Sequence, residues 1–143
     1  MISEADRSAI HDLLSRYCHS IDASRADLCA ALFAEDALLE TPVGRAEGIG
    51  EIREWMDGRL AQREPGIQVR HITQSVLLAE VEPDVVRVRS ILLYTWETLE
   101  IPREVSFRST VIYEDVVRRT TAGWRFAARK CDTQLPLDDV YFA

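Results

Sequence analysis

The 143-residue sequence lacks any apolar run near the ~20 residues that a bilayer-spanning helix requires, and residues 1–4 show no secretory hydrophobic segment. It also has few cysteines. Cys18, Cys29 and Cys131 form no CxxC pair and show no metal-ligand spacing. An odd cysteine count without a leader indicates a reducing compartment, so we expect a cytoplasmic protein with small buried thiols.

The short motifs of several enzyme classes are missing as well. There is no Gly-rich phosphate loop, no GxSxG elbow and no HExxH zinc motif. His11 and His19 are eight residues apart, and this pair does not make a metal site. We therefore expect no metal, nucleotide or flavin cofactor.

The sequence has few basic residues, because 17 Lys and Arg against 24 Asp and Glu give a net charge of −7. A nucleic-acid-binding protein needs a basic face to offset the phosphates, so nucleic acid is disfavoured, as is an anionic membrane surface. The 47% hydrophobic and 29% charged composition is that of an ordinary globule. Without repeats or linkers, residues 1–143 form one domain, long enough for a core and one enclosed pocket.

The N-terminal half is typical of helices. Helical spacing predicts a first helix over about residues 4–22, capped by Ser3 with Asp6 in its first turn. Its apolar stripe consists of Ile10, Leu13, Leu14, Tyr17 and Ile21. We expect a short second helix through Phe33, ended at residues 35–36, then a short strand over residues 37–40. A third helix begins after Gly48 and is broken at residues 63–66.

The C-terminal half changes to β patterns. Four β-rich runs cover residues 69–81, 85–98, 105–118 and 124–133 and are separated by short turns. Short turns between long strands predict an antiparallel meander. Helices followed by strands indicate an α+β fold, and a strongly curved sheet around the first helix would enclose a pocket.

Four side chains suggest proton transfer, namely Tyr17, Asp22, His71 and Arg129. A carboxylate that orients an imidazole, with a phenol and a guanidinium nearby, suits that chemistry. Each also has a structural explanation. Asp22 could cap the second helix or start a turn, and a lone histidine on an apolar strand is more often a hydrogen-bonded core residue.

The geometry of the other two residues is less favourable. Tyr17 lies on the apolar helix stripe, and Asp22 is about 140° around the helix from it unless the chain turns out of the helix first. Arg129 has the opposite strand parity to Trp124 and Phe126, so it faces solvent if they face the pocket, unless a bulge intervenes.

Five pieces of sequence, in order, carry a family resemblance. They are Ile10-x-x-Leu13-x-x-Arg16-Tyr17-x-x-x-x-Asp22, Leu32-Phe33-Ala34-Glu35-Asp36-Ala37, Gly48-x-x-x-Ile52, Arg70-His71 and Gly123-Trp124-Arg125-Phe126. Together they resemble the SnoaL-like group of the nuclear-transport-factor-two-like superfamily over nearly the whole chain. The resemblance implies a cone-shaped α+β barrel, with three N-terminal helices packed on a strongly curved, mainly antiparallel sheet.

Within that superfamily the chain is similar to cofactor-free lyases such as scytalone dehydratase, bile-acid 7α-dehydratase and hexachlorocyclohexane dehydrochlorinase. The resemblance implies that Asp22 and His71 form an Asp–His dyad. Tyr17 and Arg129 match positions where these families place a tyrosine or lysine and an arginine. The implied activity is a dehydratase-type lyase or an isomerase that removes a proton from a small hydrophobic substrate, polycyclic or aromatic.

Aromatic residues supply candidate contacts with that substrate, and we expect Trp55, Tyr94 and Phe107 to line the pocket. The alternative is a non-catalytic module, because the same fold serves as the small subunit of ring-hydroxylating dioxygenases and as a ligand-binding or oligomerisation domain. The superfamily also implies a homodimer or homotrimer.

Overall fold

Three helices precede four long strands, as the sequence predicts. The computed structural model describes residues 1–143. The elements are α1 (Glu4–Asp22), α2 (Ala26–Ala30), β1 (Phe33–Thr41), β2 (Gly44–Glu47), α3 (Gly48–Ala61), β3 (Ile67–Glu82), β4 (Val85–Thr98), β5 (Val105–Thr120), β6 (Gly123–Asp132) and a final 3₁₀ turn (Asp139–Phe142). None of the helices has both the length and the hydropathy to cross a membrane.

Helix α1 begins at a capping box. The Ser3 hydroxyl accepts a hydrogen bond from the Asp6 backbone N–H at 3.1 Å, and the Asp6 carboxylate accepts from the Ser3 N–H at 3.4 Å. Trp124 Nε1 also donates to Asp6, at 3.1 Å, so the start of α1 is tied to β6. The predicted first helix is thus confirmed, and its apolar stripe is buried in the core.

The sheet has six strands in the order β2-β1-β6-β5-β4-β3. Strands β3 to β6 form the predicted antiparallel meander, and β1 pairs with β6 in parallel. The sheet is curved and unclosed, and α1 packs against β3 and β6 on its concave side. This is the predicted α+β cone, and it leaves space between α1, α3 and the sheet.

The prediction for the second helix is wrong at its C-terminal end. Helix α2 ends at Ala30, and Phe33, expected to be helical, begins β1. The Phe126 N–H donates to the Leu32 carbonyl at 3.0 Å, and the Phe33 ring packs 5.1 Å from the Phe126 ring. Pairing with β6 therefore overrides the local helical pattern, which sequence spacing cannot reveal.

The C-terminal segment lies on the outer face of the sheet. Arg89 donates to the carbonyls of Leu135 and Pro136, each at 2.9 Å. Tyr141 donates to the Glu114 carboxylate at 2.6 Å. These bonds hold the segment on the opposite side of the sheet from α1.

Candidate active site

The space enclosed by the sheet, α1 and α3 is a cavity of about 460 Å³. Of its 22 lining residues 14 are hydrophobic, so it suits an apolar molecule. Its walls include Tyr17, Trp55, Val69, Leu92, Tyr94 and Tyr113. Tyr17 and Tyr113 are among its most buried lining residues and mark its buried end. Pro42, Val43 and Glu64 are exposed and mark its mouth. We call this space the apolar cavity.

Asp22 and His71 come together across 49 residues of sequence. Asp22 is the last residue of α1, and His71 lies on β3 with its side chain on the concave face. The Asp22 Oδ1 atom lies 2.6 Å from His71 Nδ1, and the carboxylate also accepts the His71 backbone N–H at 3.1 Å. Only 12–14% of either side chain is exposed, so the carboxylate holds the ring from one side with little competition from water.

The His71 ring separates two spaces. On one side is the apolar cavity, and on the other is a groove between α1 and β3 lined by His11, Ser15, His19 and Asp22, among others. His71 Nε2 has no hydrogen-bond partner in the protein, while Nδ1 faces the carboxylate. A neutral imidazole in this position carries its proton on Nδ1, because a carboxylate only accepts hydrogen bonds, and Nε2 is then a free base.

Tyr17 and Asp22 do not converge, because α1 remains helical through Asp22. Tyr17 lines the apolar cavity and Asp22 lines the groove behind it. His71 borders both spaces and is therefore the group that connects them. Burial raises the pKa of the Tyr17 phenol well above its ordinary value, so the hydroxyl keeps its proton at neutral pH.

Arg129 is only 1% exposed and faces the interior, not solvent. Its Nε and Nη2 atoms donate to the two carboxylate oxygens of Asp115 at 3.0 and 3.2 Å. Burial lowers the pKa of the guanidinium, but the negative charge of Asp115 raises it, and the net pKa lies above the ordinary value. Burial raises the pKa of the Asp115 carboxyl to about 6, so at neutral pH both groups are charged.

A β-bulge explains why Arg129 points inward. Val117 pairs with Phe126 and Val116 with Ala128, so Ala127 is an extra residue that shifts the strand parity. Arg129 consequently shares the inner face with Phe126. The guanidinium carbon lies 4.0 Å from the Tyr17 ring centre and 3.7 Å from that of Tyr113, behind both rings and outside the cavity wall.

The expectation that Phe107 lines the pocket is wrong, whereas Trp55 and Tyr94 do line it. Phe107 is 77% exposed and pairs with Thr95 on the outer face. Alternation from Ser109 would put Phe107 on the inner face, but a bulge at Arg108 inverts the parity. The Tyr94 ring lies 4.8 Å from the His71 ring and forms the wall next to it.

A family comparison matches most of the chain. The family described as SnoaL-like domain matches residues 3–130. The chain belongs to the SnoaL-like domain family. No curated protein matches it at a significant level.

Solved structures support the fold of this SnoaL-like domain. A Novosphingobium aromaticivorans protein provisionally assigned as a scytalone dehydratase is 22% identical over 92% of this chain and 85% of its own, with a TM-score of 0.74. One from the same organism provisionally assigned as an aromatic ring hydroxylase is 23% identical over 99% of both chains, with a TM-score of 0.80. A Nostoc punctiforme protein of unknown function with a cystatin-like fold is 24% identical over 94% and 97%, with a TM-score of 0.77. At these identities the likeness establishes the fold alone.

Two further residues belong to the SnoaL-like site, and the sequence marks Tyr113 only as one of several aromatic residues that could line a pocket and does not mark Arg63. Tyr113 alternates with Val111 and Asp115 on the inner face of β5, a pattern that any core tyrosine shares. Arg63 lies in the loop after α3, where no sequence signal marks it. No group of three or more His, Cys, Asp or Glu side chains is arranged to hold a metal ion.

Arg63 anchors the end of α1 in this SnoaL-like domain. Its guanidinium donates to the carbonyls of Ile21 and Asp22, the latter at 3.1 Å, and to the Ser24 hydroxyl at 2.7 Å. The Ile21 carbonyl also accepts the Ser24 N–H at 3.1 Å, and the Asp22 carbonyl also accepts from the Gln68 side chain at 3.4 Å. A cation at a helix C-terminus is favourable, because the last carbonyls of a helix carry its partial negative charge. Arg63 thus fixes the backbone that carries the Asp22 carboxylate.

We expect Arg63→Gln to lower the free energy of unfolding by about 1.5–3 kcal/mol, the range for hydrogen bonds to a charged group. Urea denaturation of the purified protein measures this loss. Arg59→Gln is the matched control, because Arg59 is exposed four residues earlier and stacks on Trp55 without bonding to α1. Equal losses in the two variants would show that Arg63 does not anchor the helix end.

Proposed function

We propose that this protein is a cofactor-independent lyase of the dehydratase type, or an isomerase, that removes a proton from carbon in a small hydrophobic substrate. The substrate class is polycyclic or aromatic, because the cavity is apolar and aromatic side chains line it. His71 is the proposed base, Asp22 orients it, and Tyr17 is the proposed hydrogen-bond donor to the oxyanion that develops on the substrate. Trp55 and Tyr94 are the proposed substrate contacts.

One observation carries the proposal. The His71 ring is bonded through Nδ1 to a largely buried carboxylate, while Nε2 has no protein partner and the ring forms part of the wall of the apolar cavity. A neutral imidazole oriented in this way can take up a proton through Nε2. Asp22 then stabilises the imidazolium that forms.

In the elimination, Nε2 of His71 takes the proton from carbon, and the C–H electron pair forms the new C=C bond. The bond to the leaving hydroxyl breaks with its electron pair, and the departing oxygen takes the proton back from the His71 imidazolium and leaves as water. The Tyr17 phenol keeps its proton and donates a hydrogen bond to the oxyanion that develops at a ring carbonyl of the substrate. In an isomerisation, His71 would return the proton to a different carbon instead. A bound substrate that displaces water from the cavity would strengthen each of these electrostatic interactions.

The cavity also bears on the alternative of a non-catalytic module. A structural subunit needs no enclosed space, and a filled cone would favour that function. The cone here instead contains an unfilled volume of about 460 Å³ beside the His71 ring. This supports a ligand site over a purely structural subunit, and turnover separates catalysis from ligand binding.

Deuterium exchange at carbon tests the proposal without knowledge of the natural substrate. We expect the protein to accelerate exchange of the α-hydrogens of 2-tetralone, a two-ring ketone, in D₂O, as followed by proton NMR. Exchange at the buffer rate, despite measurable binding of the ketone, would reject the enzyme in favour of a ligand-binding module.

We also propose a homodimer or homotrimer formed through the outer face of the sheet. Ile72, Ile91 and Phe107 face that side and are 46%, 40% and 77% exposed. A cluster of this kind is typical of an interface. Light scattering coupled to size-exclusion chromatography measures the state, and a monomer at micromolar concentration would contradict it.

A further inference from the structure

Tyr113 is a second phenol at the buried end of the apolar cavity, beside Tyr17. The two ring centres are 6.2 Å apart, and both residues line the cavity. Neither hydroxyl has a hydrogen-bond partner in the protein. A tyrosine hydroxyl in a protein interior ordinarily finds one, so two unpartnered phenols side by side point to a partner that enters the cavity.

The charge behind the two rings identifies the chemistry of that partner. Arg129 lies 4.0 Å from the Tyr17 ring centre and 3.7 Å from that of Tyr113, and its Nη1 atom is buried without a partner. Its positive charge favours any negative charge that develops at the phenol hydroxyls. Burial raises the pKa of both phenols, so at neutral pH both are hydrogen-bond donors.

We propose that Tyr17 and Tyr113 form a two-donor subsite for a carbonyl or phenolic oxygen on the ring of the substrate, with Arg129 as a positioning residue behind them. The substrate would therefore be a ring ketone or a phenol, not a hydrocarbon or a halide. This inference rests on the proposed function in taking the apolar cavity as the substrate site. It adds Tyr113 to the substrate-binding residues and places the ring oxygen of the substrate at the buried end of the cavity.

Equilibrium dialysis with two matched probes tests this subsite without turnover. 2-Naphthol carries the oxygen and naphthalene lacks it, while both have the same ring system. We expect the wild-type protein to bind 2-naphthol more tightly than naphthalene. Tyr113→Phe should weaken 2-naphthol binding roughly 3–10-fold, the effect of one hydrogen bond, and leave naphthalene binding unchanged.

Tyr17→Phe is the second variant and should give the same pattern, since it removes the other donor. Tyr141→Phe is the control, because Tyr141 lies on the outer face and should not affect either probe. Equal weakening of both probes in Tyr113→Phe would show a packing role and overturn the subsite. An unchanged affinity for 2-naphthol, or no preference for it in the wild type, would overturn it too.

The two proposals fail in distinguishable ways. If wild-type protein exchanges the 2-tetralone α-hydrogens but Tyr113→Phe keeps the full preference for 2-naphthol, the subsite is wrong and the enzyme stands. If the preference falls as expected but no exchange occurs, the subsite stands in a protein that only binds its ligand.

Discussion

His71→Ala should slow deuterium exchange on 2-tetralone by about 10²–10⁴-fold, the range for loss of a positioned general base. The reason is that Nε2 is the one basic nitrogen of the Asp22–His71 pair that lacks a protein partner beside the cavity. The fold should remain, because His71 is partly exposed to the cavity and the groove. Proton NMR measures the exchange rate, and thermal denaturation checks the fold.

Asp22→Asn should cause a loss in the same range although it changes one atom. The amide has a single acceptor oxygen, whereas the Asp22 carboxylate accepts both the backbone N–H and the ring of His71. When the amide NH₂ faces Nδ1, that nitrogen must accept, and the ring proton moves to Nε2. The ring then has no base aimed at the substrate.

His19→Ala is the matched control for both variants. His19 is an exposed histidine of α1 that lines the neighbouring groove but not the apolar cavity. It should exchange 2-tetralone like the wild type. Wild-type rates in His71→Ala or Asp22→Asn would remove the proposed base from the mechanism.

Asp115→Asn should lower the free energy of unfolding by about 3–5 kcal/mol, the cost of leaving a buried charge without its partner. Both side chains of the Arg129–Asp115 pair are at most 1% exposed, and the guanidinium has no alternative anion nearby. A loss of this size corresponds to a fall in Tm of roughly 10 °C or more for a domain of this length. Thermal and urea denaturation measure it.

Two further variants show how much of the loss in Asp115→Asn is due to the burial of the Arg129 charge. Asp57→Asn breaks an exposed pair with Arg53 four residues away and should cost well under 1 kcal/mol. The double variant Asp115→Leu with Arg129→Met removes both charges and should recover part of the loss. A loss for Asp115→Asn no larger than that for Asp57→Asn would contradict the account of this pair.

Much of the framework could be predicted from local pattern. The apolar spacing of α1 and the alternation in the C-terminal half fix element types, because each pattern reports which side of an element is buried. Local pattern does not predict the contact between Asp22 and His71. Forty-nine residues separate them, and only the family resemblance, which supplies the long-range topology, suggested that they meet.

The remaining differences from the predictions have one physical origin, which is that pairing between strands overrides the local sequence pattern. Bulges at Ala127 and Arg108 invert the alternation, so Arg129 faces inward and Phe107 outward. The parallel pairing of β1 with β6 similarly turns Phe33 from an expected helix end into a strand start. None of these features has a composition or spacing signal within its own segment.

The tautomer of His71 tests the central claim most directly, because the mechanism requires Asp22 to hold the ring proton on Nδ1. The protein has only three histidines, so nitrogen-15 NMR can assign each ring. We predict that neutral His71 is protonated on Nδ1 and bare on Nε2, and that Asp22→Asn shifts the proton toward Nε2. A wild-type neutral ring that already carries its proton on Nε2 would contradict the account.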